Sequence, residues 1–278
     1  MLIKLGYDIR FEVNQPVPFV ALLSVHPSRR GDLQEPDRLT VEPAVGVTEY
    51  EDSFGNICTR FVAPPGPVKL TNSTLIRDSG APDPENPTAR EVPVAELPPE
   101  TLRYLMSSRF CEVDLLSATA VELFGGEPKG WSRVRAVCSW VHAKVRFSYP
   151  EARPTRTALD VYTERVGVCR DFQHLAITFC RALNIPARYA TGYLGDIGVP
   201  PSESPMDFSA WFEVYLEDRW WTFDARHNAQ RIGRVLLATG LDATDVAITT
   251  SFGGSRLSHF DVVTDEIVGT VPSGRTIG

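Results

Sequence analysis

The chain lacks the features that would place it in several large functional classes. No apolar run is long enough to span a bilayer. Its first residues, Met1-Leu2-Ile3-Lys4-Leu5-Gly6-Tyr7-Asp8, hold neither an apolar signal core nor a small-residue cleavage site. We therefore expect a cytoplasmic protein with no membrane partner. Positive charge is in deficit: 28 Lys and Arg face 35 Asp and Glu, a net charge of -7. Arg29-Arg30 is the sole basic doublet, so there is no stripe to displace counterions from a phosphate backbone, and nucleic acid is not expected as a partner. Cysteine occurs five times, at 58, 111, 138, 169 and 180, never as C-x-x-C. That spacing argues against a zinc ribbon, and an odd count without a secretion signal argues against a disulfide framework. The acidic residues contain no D-x-D-x-D-G loop, and we expect neither metal nor cofactor. Histidine is scarce too, at 26, 142, 174, 227 and 259.

What remains is an ordinary globular composition, 43% hydrophobic and 23% charged, over 278 residues, enough for two domains of unequal size. Residues 1 to about 78 read as β structure. Tyr7 to Val13 alternates with period two, Pro18 to Val25 is a short apolar run, and Ile57 to Val62 follows a turn at Asp52-Ser53-Phe54-Gly55-Asn56. A small β-sandwich is expected. A proline-rich linker occupies residues near 78–97, and helical signals begin at Pro98; the strongest spans Trp131 to Val145. The expected division is thus a β-rich domain over 1–97 and an α+β domain over 98–278.

The segment that carries chemistry starts at Thr157. After Cys169, apolar residues fall at 172, 175, 176, 179 and 183, the spacing of a buried helix face; Asn184 fits a left-handed cap, and Pro186 stops the helix. Cys169 therefore sits at a helix N-terminus. There the helix dipole and unpaired amides favour a thiolate and can receive an oxyanion. A strand at Pro186 to Leu194, a polar loop, and two strands at Met206 to Leu216 and Asp218 to Asp224 follow.

Taken in order, Gly167-Val168-Cys169-Arg170-Asp171-Phe172, Gly192-Tyr193, Ala210-Trp211 and Phe223-Asp224 resemble the core of the transglutaminase-like superfamily, closest to bacterial members described as cysteine proteases with an N-terminal β domain. The resemblance implies a papain-like α+β core in which a helix bearing the cysteine packs on an antiparallel sheet. It also implies a triad of Cys, His and Asp that attacks a peptide or glutamine side-chain amide, ending in hydrolysis or in acyl transfer to an amine. Its partner would be a peptide or protein substrate. Position by position, Cys169 is the nucleophile and Asp224 the orienter, and the histidine should precede Ala210-Trp211. Ser209 stands there.

A serine hydroxyl is no base near neutral pH, and removing the general base costs on the order of 10²–10⁴ in rate. Three readings follow: another histidine substitutes, a different proton route operates, or the protein is an impaired relative that binds peptides. His174, five residues after Cys169, points away from it on a helix and reads as structural. His227 is close in sequence to Asp224. With a two-residue turn at Asp218-Arg219, Asp224 faces Glu213, shares a sheet face with Ser209 at an offset of four residues, and His227 points to the other face. A bulge or bent strand end would change both statements. The sheet is expected to continue through Ala247 to Phe252 and Phe260 to Val263. Trp211 and Trp220-Trp221 read as core and groove wall, and Arg170 and Asp171 as a capped helix start.

Overall fold

The computed structural model describes residues 1–201 and 206–267. The alternation seen from Tyr7 belongs to a longer strand, β1 (Leu2–Val13), in which Ile3, Leu5, Tyr7, Ile9, Phe11 and Val13 are all buried on one face. The chain continues through β2 (Val17–Ala21), β3 (Thr40–Glu42), β4 (Thr48–Glu51), β5 (Ile57–Ala63) and β6 (Gly66–Arg77). The proline-rich segment then crosses the molecule with little regular structure. Its Asp83 carboxylate receives the backbone N–H of Arg231 and Nε of Arg234, both at 2.9 Å.

Next come α1 (Val113–Phe124), α2 (Trp131–Lys144), the two-residue strand β7 (Arg146–Phe147), α3 (Ala158–Glu164), β8 (Val166–Gly167) and α4 (Cys169–Ala182). The last strands are β9 (Ala187–Tyr193), β10 (Ser209–Leu216), β11 (Arg219–Phe223), β12 (Val235–Gly240), β13 (Thr249–Ser251) and β14 (Ser255–Glu266). Among the described residues, no helix is long and apolar enough to cross a membrane.

The sequence explains the start and end of α4. Asp171 accepts a hydrogen bond from Val168 N at 2.9 Å, which caps the first turn, and Asn184 stops the helix at φ 62°. Its apolar residues Phe172, Leu175, Ala176 and Phe179 are buried in one core with Phe212, Val214 and Leu216, Phe179 packing on Phe124, Trp140 and Tyr162 of the neighbouring helices, while Gln173 and His174 meet β10 and β9. The central sheet runs β11-β10-β9-β12, all antiparallel. A helix bearing the cysteine does pack on an antiparallel sheet.

Two expectations need correction. The β10–β11 hairpin turns at Glu217-Asp218, with Leu216 opposite Arg219 and Glu217 at φ 57°. The register therefore shifts by one on each strand. Phe223 lies opposite Phe212, so Asp224 comes level with Trp211, two residues from Ser209 (about 7 Å) and not four.

The second correction concerns the chain's end. β13 and β14 do not extend the central sheet. β14 pairs along β1 and β13 along β2, giving sheets ordered β14-β1-β6-β3 and β13-β2-β5-β4. The sandwich is thus completed from beyond residue 97. Its core also takes Tyr193, Phe208, Val235 and Leu237 from the central sheet region.

Candidate active site

Cys169 is the first residue of α4 and is half-buried, whereas Cys58, Cys111, Cys138 and Cys180 are buried. It lines a cavity of about 260 Å³ together with Tyr149, Asp207, Ser209, Arg226 and His227. The expected thiolate is not favoured here. Burial pushes the Cys169 thiol up to about 11, against the opposing pull of the Arg226 charge and the Arg170 amide. Desolvation of the sulfur outweighs the helix terminus.

Ser209 opens β10 opposite Gly192 and is buried. Gly192 has a steric reason: a Cβ there would lie 2.1 Å from the Val235 carbonyl oxygen and 2.9 Å from the Trp211 ring. The close passage of β9 by β12 and Trp211 requires glycine.

Asp224 follows β11 and is buried under five N–H donors. Gln173 Nε2, Arg226 N and His227 N reach Oδ1 at 3.0, 2.9 and 3.1 Å. His227 Nδ1 and Arg234 Nη2 reach Oδ2 at 2.8 and 3.0 Å. Although burial alone would raise it, the His227 hydrogen bond and the Arg234 charge hold this carboxyl far below the ordinary carboxylate range.

The His227 contact follows from how the strand ends. β11 stops at Phe223, and the chain folds into a turn closed by Asn228 N donating to Asp224 O at 2.8 Å, with Asn228 at φ 50°. Regular strand geometry, which would send His227 to the opposite face, therefore does not apply. A carboxylate only accepts, so Nδ1 of His227 donates to it, and Nε2 of the neutral ring is left as the acceptor. Among the described residues, no hydrogen bond joins Cys169 to an imidazole.

The other histidines lie elsewhere. His174 is buried, stacked on Phe110 at 5.0 Å, and accepts from Ala243 N at 3.2 Å; burial pushes it down to about 3. His142 donates to the Arg226 carbonyl at 2.8 Å and so braces the turn from outside. His26 caps a short 3₁₀ turn, and His259 sits in β14. Trp211 is buried, and Trp221 packs edge-on against Trp131 at 5.6 Å.

With this geometry in view, residues 117–225 match the family model of the transglutaminase-like superfamily. Those residues thus form a transglutaminase-like domain. A solved structure from Cytophaga hutchinsonii, described as a candidate cysteine protease, is similar over 97% of this chain and 91% of that one, with 29% identity and a TM-score of 0.83. An uncharacterised protein of Mycobacterium leprae is 24% identical over 237 residues, covering 82% of this chain and 84% of its own.

Four residues of this transglutaminase-like site escaped the sequence reading. Gln173 lies one turn after Cys169; its Nε2 also donates to Ala210 O at 3.2 Å, and its Oε1 accepts from Ala225 N at 3.1 Å. It ties α4, β10 and the Asp224 turn together. Arg234 spans Asp83 and Asp224, with its guanidinium 5.1 Å above the Trp211 ring. Arg226 and Asp207 line the cavity. The i, i+4 spacing from Cys169 could have flagged Gln173; the other three carry no local signal.

Proposed function

We propose that the protein is a thiol-dependent amidase or protease in which Cys169 is the nucleophile, His227 the general base and Asp224 its orienter. The observation that carries this reading is the His227–Asp224 hydrogen bond of 2.8 Å beside a cavity that His227 and Cys169 both line. The base has moved from the position now held by Ser209 to the turn after β11, and the aspartate has kept its partner type.

A thiol held near 11 carries little standing thiolate, so deprotonation accompanies attack. Nε2 of His227 takes the thiol proton as sulfur bonds the carbonyl carbon of a peptide or glutamine side-chain amide, and the carbonyl electron pair moves onto oxygen. The Cys169 and Arg170 amides at the start of α4 receive the developing oxyanion, since Asp171 N and Phe172 N already donate to Val168 O. Collapse breaks the C–N bond, and the same proton passes from Nε2 to the leaving amine. Water then attacks the thioester with His227 again accepting a proton, which returns to the departing sulfur. An amine in place of water gives acyl transfer; hydrolysis needs no second binding site and is the favoured outcome.

A second reading, a peptide-binding module that has lost catalysis, draws on the lack of a hydrogen bond between Cys169 and any imidazole among the described residues. Catalytic contacts often tighten only with substrate bound. One peptide-amide hydrolysis assay separates the two. Wild type should be active, Cys169→Ala inactive, His227→Ala reduced by about 10²–10⁴, and Ser209→His little changed. An inert wild type revived by Ser209→His would overturn the role of His227. An inert wild type that Ser209→His does not revive would support the binding module.

A further inference from the structure

The cavity beside Cys169 holds two charges of opposite sign that the mechanism above does not use. Asp207 is exposed and Arg226 half-buried, and both line the cavity. Neither has an ion-pair partner among the described residues; the Asp207 carboxyl accepts from Phe208 N and feels the Arg226 charge, but the two do not come within ion-pair distance of each other. Each is nevertheless held in place. The Arg226 guanidinium lies over the Phe147 ring at 4.2 Å, and its backbone is pinned by Asp224 and His142. Asp207 precedes Phe208, which packs on Tyr193 at 5.0 Å and on Tyr7 at 6.3 Å. The remaining charged pair in the cavity is already matched, since Arg231 reaches Asp196 at 3.6 Å and donates to Gly195 O at 2.9 Å.

We propose that Asp207 and Arg226 select a short peptide with free ends, Asp207 receiving its ammonium and Arg226 its carboxylate on either side of the amide offered to Cys169. This rests on Cys169 being the nucleophile and adds the substrate class. An anchored cation and an anchored anion that line one cavity without meeting are complementary to a molecule carrying both charges at a fixed separation. An internal amide of a folded protein carries neither. The cavity's size agrees: about 260 Å³ is below the roughly 300–1,000 Å³ typical of sites for drug-sized ligands, and its apolar wall of Leu194, Val199, Met206 and Phe208 suits the side chains of a small peptide. Charge-assisted hydrogen bonds to the two ends should each favour the free form by about tenfold or more.

The test compares a free dipeptide with its N-acetyl and C-terminal amide forms. In wild type, kcat/KM should fall about tenfold or more for each blocked end. Asp207→Asn should bring the free and N-acetylated forms to within about twofold of each other, and Arg226→Met should do the same for the acid and the amide. Comparing ratios within each variant removes any effect of Arg226 on the thiol itself. Binding is measured in parallel by calorimetry on full-length Cys169→Ala, which turns nothing over. Preferential binding of the free dipeptide, lost in stepwise fashion with Asp207→Asn and Arg226→Met, supports the site even if no substrate is cleaved. Equal or absent binding of free and blocked forms overturns it, as does an active wild type that cleaves blocked peptides equally well. Loss of activity with binding intact would fault the assigned chemistry and leave this selection standing.

Discussion

A sulfur at the first residue of a helix feels the unpaired amides and the dipole, which favour its anion, and the surrounding protein, which disfavours it. At Cys169 the second effect prevails and the thiol rises to about 11. Position in the sequence could reveal the helix end but not the burial around it. Accessibility still distinguishes Cys169, because the other four cysteines are buried and burial raises all of them as well. Limited iodoacetamide treatment of the folded protein should therefore label Cys169 first, at a rate that climbs as pH rises toward about 11. Asp224 gives the opposite pH signature. Its folded-state carboxyl is held far below an ordinary aspartate, so its contribution is present above about pH 4 and lost as pH falls, because the unfolded chain takes up protons first. Asp224→Asn should lower stability near neutrality by at most about 3–5 kcal/mol, since the buried Arg234 loses one of its two carboxylate partners and keeps only Asp83. It should also flatten the fall in Tm between about pH 4 and pH 2.

At the scale of elements, local chemistry decided what could be read in advance. The apolar spacing of α4, with Asn184 and Pro186 behind it, announces a helix in its own residues, and the period-two pattern of β1 announces a strand. The β10–β11 turn was misplaced because it puts Glu217 in the left-handed region at φ 57°, where sequence preference points to Asn, Asp or Gly. The shift moved Asp224 closer to Ser209. The turn at 224–228 mattered more, since it decides whether His227 meets Asp224, and a histidine in a turn leaves no periodic signal. Cys169, Ser209, Asp224 and His227 were thus legible as residue types in order, but their grouping was not. Gln173 holds that grouping through three hydrogen bonds between α4, β10 and the turn. Gln173→Ala should cost about 1–3 kcal/mol, because Ala225 N loses its buried partner. If Gln173 positions the aspartate, kcat should fall with KM nearly unchanged, and Gln173→Glu should not rescue it, since a carboxylate cannot donate to Asp224. Urea denaturation and steady-state kinetics on the two variants check both statements.

Across the whole molecule, two cores meet along the central sheet: one gathers α1, α2, α4 and the helix-facing side of β9 and β10, and the other fills the sandwich and reaches Tyr193, Phe208 and Val235. The sandwich was foreseen from its first strands, whereas its closure by β13 and β14 was not. Pairing between strands some 250 residues apart is written in no local pattern, and two short apolar alternations near the chain's end fit either sheet equally well. A fragment of residues 98–278 should therefore fail as a soluble unit. β14 would lose its β1 partner along eleven paired positions, and an unpaired strand of that length invites association. Expression of this fragment beside the full chain, followed by size-exclusion chromatography, gives the answer; a monodisperse folded fragment would refute the expectation.

The pairing of β1 with β14 also sets an order of events during synthesis. β1 leaves the ribosome about 250 residues before β14, and its second edge stays uncovered until then. The segment bearing Cys169 emerges in between. Contacts so distant along the chain close slowly, and nascent β1 and β2 spend that interval as open edges on which another growing chain could dock. The nucleophile's helix can form early from local contacts, but the sandwich core that buries Phe208, next to the cavity, is complete only after β14 has been made. Catalytic competence should therefore appear only with the arrival of β14, a strand that contributes no residue to the chemistry.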